Sequence, residues 1–326
     1  MAEATDCSGL AATTVQERAE KLSWALARLP LPSDAEAAHD ARVALRRLRA
    51  AATGFEDWLE RPRKWRRRLR RAERELGRLR DAEVRLGLLD EILGPVAVFR
   101  DRSDDPRTAG DEILVLDEQS RIRPGLRGLE MEARRALADS TSAEIDGQRE
   151  AVLADGGLQR LQRLTAPPRL RDHRPGLPPA ALAEDQLPRL LQRAARSKPG
   201  AVDLHRRRTE IRRLRYRLEL FAPALGEGHR AVLHELRDLQ RLLGRFHDLV
   251  VLGQWLEDSS RQLRHELRPA LRRLALRVQL EQQVAREAAE TELARLDGAA
   301  WWDTVSAACL GQGGLGSDGP CLSQPS

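Results

Sequence analysis

The fold is decided by a stretch that occurs twice, first as His39-Asp40-Ala41-Arg42-Val43-Ala44-Leu45-Arg46-Arg47-Leu48-Arg49. A histidine is followed by arginines three, seven, eight and ten positions later, and the same spacing starts again at His205. A phenylalanine stands six residues after the last arginine of each copy, at Phe55 and Phe221. Two copies that begin 166 residues apart indicate that the chain contains a duplicated unit.

A second repeated block supports the duplication. Leu76-Gly77-Arg78, followed by Asp81, recurs 167 residues later as Leu243-Gly244-Arg245, followed by Asp248. Because both blocks keep their order and nearly the same distance, we expect the two halves to superpose, with the motif histidines and the two aspartates overlaid. The aspartates are interpreted as structural acids that hold a neighbouring arginine in place.

Helical periodicity dominates the rest of the chain, since apolar residues recur every three or four positions. The predicted helices occupy residues 14–29, 34–60, 63–98, 111–138 and 142–164 in the first half, and 179–195, 199–223, 227–258, 260–276 and 277–297 in the second. We therefore expect an all-α fold of two pseudo-symmetric antiparallel helical bundles that arose from an internal duplication.

Changes in composition predict the domain boundaries. We assign the first helical bundle to residues 10–164 and the second to residues 179–297. Residues 165–178 contain four prolines and are predicted to form the linker between the bundles. Residues 298–326, which become rich in glycine, serine and proline, are predicted to be a disordered tail.

On a helix, the first repeated stretch separates into a cationic face and an apolar face. At 100° per residue, the three arginines Arg42, Arg46 and Arg49 fall within about 80° of His39. Leu45 and neighbouring apolar residues fall on the opposite side, and the second copy repeats this division. Each helix is therefore expected to bury one side in its bundle and to present a row of cations on the other.

The next predicted helix in each half adds a second cationic row. Arg67, Arg70, Arg74 and Arg78 are spaced by three, four and four residues, and His234, Arg237, Arg241 and Arg245 repeat that spacing. Like charges four residues apart on a helix repel by a few tenths of a kcal/mol. A bound polyanion that neutralises the rows would explain why this cost is tolerated. A solvated helix face usually mixes charges of both signs, and these rows do not. The predicted binding residues are His39, Arg42, Arg46, Arg49, Arg70, Arg74, Arg78, His205, Arg208, Arg212, Arg215, Arg237, Arg241 and Arg245.

The composition favours an anionic partner. Of the 56 basic lysines and arginines only Lys21, Lys64 and Lys198 are lysines, and arginine is the side chain suited to bidentate phosphate contact. Aromatic residues make up only 3% of the chain, which is poor material for stacking nucleic-acid bases.

The three cysteines, Cys7, Cys309 and Cys321, have no metal-ligand spacing and are interpreted as unpaired thiols in a reducing compartment. The first residues include early acids and no long apolar run, so neither a signal peptide nor a membrane segment is predicted. We expect a cytoplasmic protein that does not bind membranes.

Both histidine–arginine stretches and both Leu-Gly-Arg-x-x-Asp blocks resemble the CHAD family, the conserved histidine α-helical domains, over roughly residues 10–297. The resemblance implies two pseudo-symmetric four-helix bundles with a basic channel or surface between them. It also implies binding of inorganic polyphosphate and, as in some members, association with polyphosphate granules. The CYTH-type triphosphatase domain fused to several members is not expected, because the chain has no strand-rich region.

The leading interpretation is non-catalytic binding of inorganic polyphosphate through a basic groove lined by arginine and histidine and formed by the two bundles. No catalytic residue, metal or cofactor is assigned, and the oligomeric state is left open. One alternative is a helical metal-dependent phosphohydrolase built around His247-Asp248, although Arg80 stands at the position equivalent to His247. The other is a protein that binds nucleic-acid backbones, which would bind more weakly than polyphosphate.

Overall fold

The structure is a computed structural model that describes residues 6–31, 34, 36–93, 124–154, 156–171, 176–195, 201–296 and 299–310. Within these residues the chain forms ten α-helices and three short 3-10 helices. The α-helices are α1 Cys7–Arg28, α2 Ala37–Gly54, α3 Pro62–Leu93, α4 Pro124–Leu153, α5 Gly157–Gln162, α6 Pro179–Ala195, α7 Ala201–Phe221, α8 His229–Gln262, α9 Arg268–Leu296 and α10 Ala299–Leu310. The prediction of an all-α fold is confirmed, since β-pairing among the described residues is limited to one isolated bridge between Leu59 and Leu170.

Two long helices replace pairs of helices that the sequence predicted. Helix α4 is continuous through residues 139–141, where the buried Thr141 donates a hydrogen bond from its hydroxyl to the carbonyl of Leu137 at 2.8 Å. Helix α9 likewise continues through Leu276 and Arg277 without a proline or glycine to end it. The true break lies before α5, where Gly156 adopts a left-handed conformation with φ of 71°. The predicted helical residues 94–98 and 111–123 lie outside the described residues.

The repeated phenylalanines meet where α2 packs against α7. Phe55 and Phe221 are both fully buried, and their rings make an edge-to-face contact with centroids 6.2 Å apart. Gly54 lies beside them in close contact with α7, because a Cβ atom there would lie 2.7 Å from Nη1 of Arg217 and would overlap Leu220. The close approach of the two repeated helices therefore depends on a glycine at this position.

Replacing Gly54 by alanine is expected to lower the free energy of unfolding by about 2 kcal/mol, because an added methyl group in a packed contact forces the neighbours apart. Urea denaturation followed by circular dichroism would measure the change. Gly87→Ala is the matched control, since a methyl group added at that helical glycine would meet no atom within 4 Å and is expected to stabilise the fold by up to about 1 kcal/mol. Equal effects at both positions would contradict the packing argument.

The described chain divides into two compact units. The first comprises the described residues within 1–80, 148–247 and 285–326, and the second those within 81–147 and 248–284. Each unit therefore contains residues of both predicted halves, 10–164 and 179–297. In the first unit, α2 of the first half packs on α7 of the second. The internal duplication itself stays a prediction.

The predicted linker is tied to neighbouring elements in the first unit. Its described residues are not helical, and the amide of Glu60 donates to the carbonyl of Arg169 at 2.9 Å. The amide of Arg171 donates a second hydrogen bond, to the carbonyl of Trp58 at 3.0 Å. These bonds hold residues 169–171 against the segment between α2 and α3.

The predicted disordered tail needs a correction, because residues 299–310 form helix α10. Val305 is fully buried, and α10 packs against α6. The indole nitrogen of Trp301 donates a hydrogen bond to a carboxylate oxygen of Glu235. Apolar side chains on one helical face thus find partners before the composition changes to glycine and serine. Residues 311–326 lie outside the described residues.

Candidate functional site

The first arginine row is held by α3. Arg46 donates from Nε to Oε1 of Glu73 at 3.2 Å, and Nη1 of Arg49 lies 3.2 Å from the other oxygen of the same carboxylate. Arg42 donates from Nη1 to the carbonyl of Gly77 at 3.3 Å. The three arginines therefore lie along the boundary between α2 and α3, with one glutamate shared between two of them.

The second copy makes corresponding contacts between α7 and α8. Arg215 donates from Nε to the amide oxygen of Gln240 at 2.8 Å. Gln240 follows Glu73 by 167 residues, and Arg215 follows Arg49 by 166. The rings of His205 and His247 lie with centroids 5.1 Å apart. The same helix pairs thus meet at matching positions in both halves.

The two arginine rows converge where α2 meets α7. Arg47 donates from Nε to Glu219 of α7 at 3.2 Å, and Glu219 also accepts from Nη1 of Arg215 at 2.7 Å. The charge of Arg46 acts on Arg212 across this boundary. The contacts place the helices in the order α3, α2, α7 and α8, through residues that all belong to the first compact unit. We call the cluster of Arg46, Arg49, Arg208 and Arg212 the junction.

Arg212 is a junction arginine whose side chain lacks a partner among the described residues and whose charge is disfavoured by its surroundings. Its side chain is half-buried and forms no hydrogen bond or ion pair with any described residue. Burial, followed by the charges of Arg46 and Arg208, lowers the pKa of Arg212 to about 10, although Tyr216 and Glu73 act in the opposite direction. Arg212 therefore remains charged at neutral pH, although its surroundings disfavour that charge.

Other buried arginines of the same unit differ from Arg212 in one respect. The pKa values of Arg18 and Arg217 are also lowered to about 10, mainly by burial. Arg18, however, donates from Nη1 to the carbonyl of Arg47 at 2.7 Å, and Arg217 donates to the side chain of Gln186. Both of these guanidinium groups have an acceptor in the protein, whereas the described residues offer none to Arg212 and an acceptor would have to come from elsewhere.

Arg49 connects the junction to α3. Burial is the main cause of its lowered pKa, and Glu73 opposes that effect. Arg70, Arg46 and Arg213 each lower the pKa further by their charges. Arg70 is therefore a member of the α3 row whose charge acts on the junction.

The two motif histidines lie at one end of the rows. His39 is solvent-accessible, and partial burial of its ring together with the charge of Arg80 lowers its pKa. Glu36 and Asp40 raise that pKa, and Arg46 lowers it. His39 is thus mostly neutral at pH 7 and can donate a hydrogen bond without adding charge. His205 is also exposed and lies beside His247.

Arg215 corrects the expectation that every motif arginine faces away from the core. Its side chain is buried, at 8% exposure, and pairs with Glu219 and Gln240. Its guanidinium carbon also lies 4.7 Å from the centre of the Tyr216 ring. Arg215 therefore uses its donors within the protein, because its side chain lies against α8.

The outer rows differ between the halves. Arg70, Arg74 and Arg78 on α3 are exposed, and their side chains form no ion pair or hydrogen bond with described residues. On α8 Arg237 and Arg241 are exposed and Arg245 is half-buried. There, Asp238 pairs with Arg241 and lies 3.2 Å from Nδ1 of His234. The α8 row is therefore partly neutralised.

Sequence reasoning missed the residues that hold the arginines. Glu73 and Gln240 bind the motif arginines, and Glu219 joins α2 to α7. The separation of Glu73 from Gln240 equals that of the Leu-Gly-Arg blocks, so the repeat could have identified this pair. Glu219 had no such signal, because the equivalent position in the first half is Thr53.

A metal-binding cluster is not found in the described part of the chain, where no three histidine, cysteine or acidic side chains lie close enough together to hold an ion. Nor, within those same ranges, is any helix long and apolar enough to cross a membrane. The chemistry offered by the junction is that of guanidinium groups, which bind oxyanions in a bidentate manner.

The fold and the junction define a class of all-α proteins with arginine rows brought together between repeated helices. The family model described as CHAD domain matches residues 16–257, so the chain belongs to the CHAD domain family.

Solved structures show the same fold. The crystal structure of the CHAD domain from the plant Ricinus communis is 21% identical, with a TM-score of 0.55 over 93% of this chain and 92% of that chain. PptA from Streptomyces chartreusis is 16% identical, with a TM-score of 0.61 over 89% of this chain and 99% of that chain. A comparison with curated proteins found no match.

Proposed function

We propose that this protein binds inorganic polyphosphate at the junction without chemically changing it. The observation that carries the proposal is Arg212, a half-buried cation placed among Arg46 and Arg208 with no acceptor among the described residues. A phosphate oxygen between these guanidinium groups would supply the missing acceptor and offset their mutual repulsion. We take the oxyanion to be polyphosphate because the resemblance to CHAD proteins implies that ligand.

The acids around the junction support a binding role. Glu73 holds Arg46 and Arg49, and Glu219 holds Arg47 and Arg215. Each glutamate is shared between two arginines. It therefore orients two guanidinium groups but neutralises only one of their two positive charges. Arginines that are ordered before binding lose less conformational entropy when a phosphate arrives.

Nucleic acid is the weaker candidate for the same site. Tyr216, an aromatic residue whose charge acts on Arg212, is 5% exposed and lies against Arg215, so its ring is closed to base stacking. Backbone phosphates of nucleic acid could still contact the arginines, but an unbranched phosphate chain offers more charge per unit length than a single nucleic-acid strand. We infer that polyphosphate binds more tightly than an oligonucleotide of similar total charge.

The deciding experiment is a calorimetric titration with long-chain polyphosphate, a charge-matched oligonucleotide and pyrophosphate at two salt concentrations. Polyphosphate is expected to bind most tightly. The phosphate content of each mixture, assayed after prolonged incubation with and without added divalent metal, is expected to show no hydrolysis. Release of phosphate would favour a phosphohydrolase, and tighter binding of the oligonucleotide would favour a nucleic-acid protein.

The affinity for polyphosphate is expected to fall steeply with salt and to rise with chain length. Contact with about six cations would give a slope of roughly −4 to −5 for log K against log salt, because each contact releases counterions. Longer chains should bind more tightly because they engage more cations simultaneously. Pyrophosphate that binds as tightly as a long chain would contradict an extended site.

The proposal extends to the cell, where we expect the protein in the cytoplasm and at polyphosphate granules. A fluorescent fusion protein should colocalise with granules stained for polyphosphate and become diffuse when polyphosphate synthesis is removed. A distribution that ignores the granules in both conditions would argue against this part of the proposal.

A further inference from the structure

The outer face of α3 carries more positive charge than the junction explains. Between Pro62 and Leu79, every residue within an arc of about 120° opposite the buried side of the helix is a cation. We call this set the α3 strip, and all its side chains are exposed. Its members are Arg63, Lys64, Arg67, Arg70, Arg71, Arg74 and Arg78.

Few acids neutralise the α3 strip. Arg63 lies 3.6 Å from Glu56, and Arg71 lies 2.9 Å from Glu75. The side chains of the other five members form no ion pair or hydrogen bond with any described residue. The strip also places like charges three and four residues apart along its length, and such neighbours repel.

The corresponding face of α8 carries less positive charge than the α3 strip. The equivalent residues, 167 positions later, are Arg230, Ala231, His234, Arg237, Asp238, Arg241 and Arg245. Asp238 stands where the first half has Arg71, pairs with Arg241 and lies 3.2 Å from His234. The two halves share their motif arginines but differ in the charge of this outer face.

The α3 strip adjoins the junction. Glu73, which binds Arg46 and Arg49, is on the same helix and lies one turn from Arg70. The charge of Arg70 reaches Arg49. An anion at the junction therefore meets the strip by crossing the boundary between α2 and α3. From Arg63 to Arg78 the strip extends about 22 Å along the helix axis, so only a ligand with many phosphates can occupy both places.

We propose that a long polyphosphate chain held at the junction continues over the α3 strip and not over the corresponding face of α8. The inference rests on the proposed function and adds a direction to it. Each strip cation that contacts a phosphate releases counterions, which favours binding. The only aromatic residue of this part of α3, Trp65, is buried, so the strip offers charge without base stacking.

The test compares two triple variants that each remove three exposed cations. Lys64→Gln/Arg67→Gln/Arg71→Gln removes part of the strip, and Arg189→Gln/Arg230→Gln/Arg261→Gln removes equal charge elsewhere. The strip variant is expected to lower the affinity for long-chain polyphosphate at least tenfold and to make its salt slope shallower by about two. The control variant should change that affinity by less than threefold, and both should bind tripolyphosphate within twofold of the wild type.

Two further variants sharpen the test. Asp238→Arg, which gives α8 the charge found in α3, is expected to raise the affinity for long chains by two- to threefold. Arg67→Lys/Arg71→Lys keeps the charge and should bind like the wild type, which separates a charge effect from a folding defect.

Equal losses in the strip and control triple variants would overturn the inference while leaving the proposed function intact. So would a strip variant that loses affinity for duplex DNA and keeps its affinity for polyphosphate. By contrast, a wild-type protein that binds tripolyphosphate no better than Arg212→Met does would refute the proposed function itself.

Discussion

Arg212→Met is expected to weaken binding of polyphosphate by at least tenfold while making the ligand-free protein more stable. Loss of affinity follows because Arg212 is the junction cation whose donors have no acceptor among the described residues. A gain in stability follows because burial and the charges of Arg46 and Arg208 disfavour its ionised form. Most arginine substitutions at a structural site would do the opposite and cost stability.

The sign of the stability change follows from the pKa. The pKa of Arg212 is about 10 in the folded chain, below the usual value of 12.5. The folded state therefore holds this proton less tightly than the unfolded state, and the resulting cost is present at every pH below about 10. Removing the charge at pH 7 should raise the free energy of unfolding on the order of 1 kcal/mol, after allowance for solvent screening.

Calorimetry and thermal unfolding, with and without polyphosphate, would measure both effects in one set of samples. Bound polyphosphate should raise the Tm of the wild type by more than it raises that of the variant. Arg277→Ala and Arg286→Ala are the controls, because they remove the same charge outside the junction. If they weaken binding as much as Arg212→Met does, bulk charge and not the junction explains the affinity.

The second large effect is expected at Arg215, where substitution should damage the fold. Arg215→Ala would remove the partner of Gln240, leave Glu219 paired with Arg47 alone, and open space beside Tyr216. Breaking a buried ion pair in this way costs about 3 kcal/mol. Urea denaturation should show this loss as a lower midpoint with an unchanged slope.

Arg213→Ala is the neighbouring control for this prediction. Arg213 is 58% exposed and pairs with Glu210 at 2.6 Å on the surface of the same helix. Its removal should change the free energy of unfolding by less than about 0.5 kcal/mol. Should Arg215→Ala remain as stable as the wild type and lose polyphosphate affinity, Arg215 lines the binding site after all.

Helices α6 and α7 could be predicted from the sequence because their signals are local. Helix α6 was predicted at residues 179–195 and observed at Pro179–Ala195, and α7 was predicted at 199–223 and observed at Ala201–Phe221. Their apolar spacing and the prolines around them act within one or two turns. The same local reasoning failed for α4 and α9, where no residue was strong enough to end the helix.

Contacts between helices could not be predicted in the same way. Arg212 and Arg215 belong to one repeated motif and carry the same charge, yet one is half-buried with no ion pair to a described residue and the other is buried beside two acceptors. The difference depends on which neighbour each side chain meets. Helical periodicity indicates the contact with Glu219, which lies four residues further along α7, but it does not indicate the contact with Gln240 of α8.

The sequence alone determined that the chain is all-α and where its cationic rows begin, since these properties depend on residues within a few turns of each other. Tertiary structure decided that the rows meet, because Phe55, Phe221 and the missing side chain of Gly54 bring α2 onto α7. It also decided that residues 299–310 fold, because α6 offers α10 an apolar surface. Burial and pairing are properties of surfaces brought together from distant segments, so they arise only when the chain is folded.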